Sequence, residues 1–203
     1  MVFSRKMACA VIMAIAVSVG FTACKKEVRR MDVEEVKDIS GRWNDTDSRL
    51  VSEEMIKDAL SRPWVDQFHA KKNRQPDVIV GRVVNKAEEH INVETFVKDL
   101  ERALLNSGRV SFVANQSERL GIREERGDME VNAEESTRKG PGHEAGADYM
   151  IIGQINTIFD TEKKERVAFY QVELEAVDML SNRKVWIGQK KIKKYIKSPN
   201  KKF

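Results

Sequence analysis

The spacing of apolar and polar positions divides the chain into three regions. Met7 to Ala23 carries no charge and is rich in Ala, Val, Ile and Met. From Lys25 to Gly41 charges are dense and bulky apolar residues few. Such a stretch buries too little surface to offset chain entropy, so it reads as a flexible or partly helical tether. Beyond Trp43 the apolar residues recur with two different periods. Leu50, Val51, Met55, Ala59 and Leu60 follow near-helical spacing. They come after Trp43–Ser48, whose Asn, Asp, Thr and Ser suit turns and helix caps. Ser61-Arg62-Pro63 predicts a break and restart, with Ser61 as cap and Pro63 in the first turn of a new helix. Trp64 and Phe68, four apart, share one face of that helix.

Asp77–Val84 is dense in β-branched residues and predicts a strand. Asn92 or Thr95 caps the next helix, whose apolar stripe is Phe96, Val97, Leu100, Leu104 and Leu105 and whose stop is Gly108. Val110–Val113 predicts a short strand. Residues 116–139 are charge-dense and read as helix, weakened at Gly121 and Gly127 and interrupted by Gly140-Pro141-Gly142. Three long strands follow: Tyr149–Phe159, Val167–Val177 and Lys184–Ile192. The turn-like segments between them, Asp160–Lys164 and Ser181-Asn182, are short enough to make these strands antiparallel neighbours. In the middle strand Ala168, Tyr170, Val172, Leu174 and Ala176 fall on one face, and Gln171, Glu173 and Glu175 on the other. That alternation predicts one face packed by helices and one wetter face. The fold class expected is α+β: a single domain with a mixed β-sheet and a carboxyl-terminal antiparallel meander packed by helices.

Charge adds location more than sign. The 203 residues carry 36 Lys and Arg against 32 Asp and Glu, a formal net of +4, too small for a basic nucleic-acid binder by bulk charge. Both cysteines, Cys9 and Cys24, precede residue 25, so the body has no thiol for disulfides, zinc ligation or nucleophilic attack. No serine elbow, phosphate loop or dinucleotide fingerprint is present. Glu88-Glu89-His90 is the nearest approach to a metal cluster and reads as a solvated loop. Asp45 and Asp47 read as turn and cap residues before they read as an acid–base pair, and His69 and His143 read as exposed. No catalytic residue, metal site, cofactor or small-molecule substrate is expected. Arg183 to Phe203 has nine basic residues and no acidic one, with Trp186 and Tyr195 interleaved. This end is either a solvated strand and tail or a surface for anionic lipid or an acidic protein patch.

The amino terminus has a short basic start, Arg5 and Lys6, and closes its apolar run with Phe21-Thr22-Ala23-Cys24 before Lys25-Lys26. Small residues before a cysteine resemble a bacterial lipobox, which implies cleavage after Ala23 and acylation of Cys24. Several acyl chains anchor a protein stably where one does not. As a coil, the following 17 or so residues average about 20–25 Å.

Further residues carry a family resemblance: Gly41–Arg49, Val80–Lys86, Phe96–Leu104, Gly146-Ala147-Asp148-Tyr149-Met150-Ile151-Ile152-Gly153 and Lys184-Val185-Trp186-Ile187-Gly188. In order, over nearly all of residues 41–194, they resemble LpoB-type proteins. The Gly-Ala-Asp-Tyr element is also similar to the amino-terminal part of TolB. With the leader and tether read above, the expected organisation is a lipoprotein signal peptide (1–23), a tether (24–41) and an LpoB-like α+β domain with a basic tail (42–203). The resemblance implies a non-catalytic lipoprotein, anchored in the outer membrane and facing the periplasm, that binds and activates a class A penicillin-binding protein and so regulates peptidoglycan synthesis. The alternative is an outer-membrane scaffold or assembly module of a TolB-like complex. Nucleic acid is not an expected partner. Candidate partner-binding residues are Trp64, Phe68, Trp186, Lys190 and Lys191.

Overall fold

The computed structural model describes residues 28–32 and 35–197. The leader, Cys24 and the tail lysines Lys201 and Lys202 lie outside the described residues. The chain divides into Met1–Glu35 and Val36–Phe203. Among the described residues, every element and the hydrophobic core lie in the second unit.

In chain order that unit contains α1 (Asp45–Ser61), α2 (Pro63–Lys72), β1 (Asp77–Asn85), α3 (Val93–Asn106), β2 (Ser111–Phe112), α4 (Gln116–Asn132), β3 (Tyr149–Glu162), β4 (Glu165–Asp178) and β5 (Lys184–Lys197). A 3₁₀ turn, Glu135–Thr137, follows α4. The sheet order is β2-β1-β3-β4-β5. β2, β1 and β3 are parallel and β3, β4 and β5 antiparallel, giving the mixed sheet with a carboxyl-terminal meander.

Local chemistry explains the helix ends. The Asn44 side chain accepts from the Asp47 amide, and the Asp47 carboxylate accepts from the Asn44 amide, both at 3.0 Å. This reciprocal box satisfies two orphan donors at the start of α1. Asn92 caps α3 through the amides of Glu94 and Thr95. The expectation for Ser61 is corrected: its hydroxyl donates to the Asp58 carbonyl in the last turn of α1, and Arg62 stands at the α2 cap position without a side-chain bond. Pro63 at the start of α2 has no N–H to satisfy, which lessens the need for a cap. The Trp64 indole N–H instead donates to the Ala59 carbonyl at 2.8 Å and ties the two helices together.

The core joins α1, α2 and α3 to one sheet face. Phe96, Leu100 and Leu104 of α3 are fully buried, as are Ile151 and Ile155 of β3 and the five-residue face Ala168, Tyr170, Val172, Leu174 and Ala176 of β4. Each large aliphatic side chain buried this way stabilises by about 1.5–3 kcal/mol. Trp43 packs edge-on against Phe96 and Tyr170, with ring centroids at 6.1 and 5.7 Å.

The meander strands outrun the sequence expectation. β3 continues to Glu162 and β4 starts at Glu165, so only Lys163-Lys164 remain as the loop, with Lys163 at φ +51°. β5 continues past Ile192 to Lys197. Backbone pairing carries both extensions, Thr161 opposite Arg166 and Arg166 opposite Ile196, and such pairing tolerates charged side chains on a solvated face. The helix expected over 116–139 ends at Asn132 and passes through Gly121 and Gly127. It buries none of its residues and is held by ion pairs: Lys98 with Glu118, and Glu144 with Arg123 and Arg126.

Candidate functional site

Asp148, in the Gly-Ala-Asp-Tyr element, joins four pieces of chain. Its carboxylate accepts two bonds from the Arg74 guanidinium and one from the Asp77 amide, each at 2.8 Å. Its own amide donates to the Asp77 carbonyl, and its carbonyl accepts from the Met179 amide. The end of α2, the start of β1, the start of β3 and the β4–β5 turn therefore meet at one residue. Bidentate guanidinium–carboxylate pairing gives this junction a fixed geometry.

Tyr149 follows, and its ring meets Trp64 at 4.8 Å and Phe68 at 5.6 Å, both edge-on. Arg74 lies over the Phe68 ring at 5.0 Å. Burial pushes the Tyr149 hydroxyl above its ordinary pKa. These three rings form the aromatic floor of a cleft of about 550 Å³ between α2 and the β4–β5 turn.

Asp178 shapes the wall opposite α2. Its carboxylate accepts from the amides of Leu180 (2.9 Å) and Ser181 (2.7 Å), and its carbonyl accepts from Asn182, which sits at φ +59°. The Ser181 amide bond holds the Asp178 carboxyl below its ordinary pKa. The fixed turn leaves Met179 45% and Leu180 95% exposed. Lys71, Lys72 and Arg183 complete a basic rim. The carboxylates here hold backbone in place, and the groups left for solvent are an apolar tip and cations around a concave aromatic floor. That is the composition of a protein docking surface, with an anchor residue and a polar rim.

The five sequence candidates do not form one patch. Trp64 and Phe68 come together in the cleft floor, but both are buried and serve the core as well. Trp186 is corrected to a core residue: it is 5% exposed, and its indole N–H donates to the Asp58 carboxylate of α1 at 2.8 Å. That bond lowers the Asp58 pKa. The Trp186-Ile187-Gly188 sequence follows from the same packing, since a Cβ on Gly188 would stand 2.2 Å from the indole. Lys190 pairs with Glu54 of α1, whereas Lys191 lies exposed on the opposite face of β5.

Glu89 is also corrected. It is no solvated loop residue: its side chain is 9% exposed and accepts from the Trp43 amide at 3.0 Å and the Tyr170 hydroxyl at 2.6 Å. Glu88, His90, His69 and His143 are exposed. Asp47 is buried in the α1 cap and also pairs with Lys194. Among the described residues no group of three His, Cys, Asp or Glu is placed to hold a metal ion, and no helix is long and apolar enough to cross a membrane. Sequence reading missed Asp148, Tyr149, Met179 and Leu180 as site residues. The available signal was Leu180 itself, an apolar residue inside a segment with turn chemistry.

Residues 47–192 match the family described as peptidoglycan-synthase activator LpoB. Among solved structures, the chain is similar to the LpoB C-terminal domain from Salmonella enterica, with 13% identity and TM-score 0.42, covering 72% of this chain and 98% of that one. It is similar to E. coli LpoB solved by NMR, with 12% identity and TM-score 0.41, covering 88% and 84%. It is also similar to lipoprotein GNA1162 from Neisseria meningitidis, with 10% identity and TM-score 0.40, covering 62% and 88%. No curated protein matches the chain.

Proposed function

The chain belongs to the LpoB family of peptidoglycan-synthase activators, and from that premise we propose that it is a lipid-anchored regulator that binds a class A penicillin-binding protein and activates it. On this reading Cys24 carries the lipid, and the protein sits in the cell envelope on the periplasmic face of the outer membrane. The folded unit acts by contact alone and does no chemistry of its own. The observation that carries the docking part is the cleft at the β4–β5 turn. Its floor is Trp64, Phe68 and Tyr149, and its exposed tip is Leu180. An apolar side chain held out by a rigid turn loses little conformational freedom on docking, which favours affinity.

The test adds the purified Val36–Phe203 unit to a purified class A synthase from the same organism and measures glycan polymerisation and crosslinking. The expected result is a raised rate with the synthase and no turnover without it. Failure to bind any class A synthase of that organism overturns the reading. The anchor has its own test: Cys24→Ala is expected to move the protein to a soluble fraction, and an unprocessed membrane-bound variant contradicts it.

A further inference from the structure

β5 ends the sheet and, among the described residues, pairs with β4 alone. Alternate residues along this 14-residue strand therefore turn their N–H and C=O groups away from β4 with no strand to meet. No backbone bond from elsewhere in the described chain caps them. A free edge of this kind is a template for strand addition, and lysines on it guard against pairing with further copies.

The lysines of β5 differ between its two faces. On the inner face Lys190 pairs with Glu54, and Lys194 with Asp38 and Asp47. On the outer face Lys191 and Lys193 are exposed and have no ion-pair partner among the described residues. Across the ladder they meet Gln171 and Phe169, neither of them charged. The outer-face carboxylates nearby are engaged elsewhere. Glu173 accepts from Gln154 at 2.7 Å, Gln171 at 2.6 Å and Gln189 at 3.1 Å, and Glu175 pairs with Lys184 at 2.7 Å. The Gln154 bond, with those from Gln171 and Gln189, holds the Glu173 carboxyl below its ordinary pKa. Glu165, at the far end, pairs with Lys197 at 3.2 Å. Ile187 and Tyr195 flank the two displayed lysines on the same face, 66% and 62% exposed.

We infer that the free edge of β5 receives an extended acidic segment of a partner protein as a sixth strand, with carboxylates at alternate positions beside Lys191 and Lys193. Charge complementarity selects this occupant. A second copy at the edge would set one basic strand against another, and like charges across a ladder destabilise it. In an extended chain, carboxylates two residues apart point to one face, as Lys191 and Lys193 do. The residues between them turn to the inner face beside Ile192, which packs against the core, so apolar side chains fit there. In strand addition the main-chain bonds supply affinity and the alternate side chains specificity. Neither lysine lines the cleft that carries the proposed synthase contact, so the two surfaces can fail separately.

The test titrates the full chain, kept in solution with a non-ionic detergent, with a peptide of about ten residues alternating Glu and Val. The peptide is expected to bind, to slow amide exchange within 184–197, and to bind less tightly as salt shortens the screening length. Lys191→Glu with Lys193→Glu is expected to weaken it at least about tenfold. Lys57→Glu with Lys139→Glu, an equal charge change off β5, should leave binding unchanged, with circular dichroism confirming the fold of each variant. Two further peptides need no variant. One has the same residues in block order, all Glu before all Val, and the other is the alternating peptide N-methylated on every residue. Both keep the carboxylates, and both are expected to bind at least about tenfold more weakly. Equal binding of either peptide, or equal loss in the Lys57 and Lys139 variant, would mean attraction by charge alone and would overturn the assignment. So would absence of binding, or an edge already protected by a second copy, seen as exchange in 184–197 that slows with protein concentration.

Discussion

The two ends of the β3–β5 meander are built from similar residues put to opposite uses. At the β4–β5 turn, Asp148 and Asp178 face inward to backbone amides and Arg74, and Leu180 is held out in water. At the β3–β4 turn Gly41 packs on Ile196 and Arg166 lies over Phe159, and the lysines are displayed. The lesson is that charge count says little about what an end does. Carboxylates tied to backbone expose an apolar tip, whereas exposed lysine side chains make a polar surface. One end presents an apolar tip and the other a polar surface.

The first way to break this contrast is to remove its organiser. Asp148→Ala strands the Arg74 guanidinium and the Asp77 amide and disconnects the β4–β5 turn from β3. A loss of about 2–3 kcal/mol is expected in urea unfolding, together with loss of synthase stimulation. Unchanged stability would mean that the junction does not set the cleft. Next in size is Tyr170→Phe, which removes a donor from the Glu89 carboxylate, whose side chain is 9% exposed. About 1–2 kcal/mol should be lost in urea unfolding. Leu180→Asp separates function from stability: its unfolding midpoint should stay within about 0.5 kcal/mol of the parent, while synthase activation falls at least about tenfold. A fold that fails with this variant would make Leu180 a structural residue.

Acid titration sharpens the same comparison more gently. The folded-state pKa of Asp178 is lowered, so its contribution is complete above its unfolded value of 3.8 and disappears as pH falls through the lower folded value. Glu144, held by Arg123, moves from 4.5 to about 2. The brace on α4 is therefore expected to persist down to about pH 2. Amide exchange in the 178–183 turn and in α4 measures both. Release of α4 near pH 4.5 would contradict the Glu144 geometry.

Much of this fold is legible in the sequence because its signals are local and periodic. The alternation in β4, the caps at Asn44 and Asn92 and the stripe of α3 each follow from neighbours within a few residues. The site is less legible because its contacts are long-range. Nothing near Asp148 in sequence reveals Arg74, and nothing near Glu89 reveals Tyr170. Trp186 shows the same difficulty in reverse: a tryptophan amid lysines suggests a surface, but its partner is Asp58 across the core. Strand length is hard to read from sequence for a related reason. Cross-strand pairing supports Lys193–Lys197, and a single strand's own side chains do not show it.

The central claim is that the cleft end meets the synthase. Its most direct test places a photo-crosslinking amino acid in turn at residues 180 and 163 of the full chain in living cells. The prediction is that position 180 captures a class A penicillin-binding protein and position 163 captures none. Capture of the synthase from position 163, with position 180 silent, would contradict it.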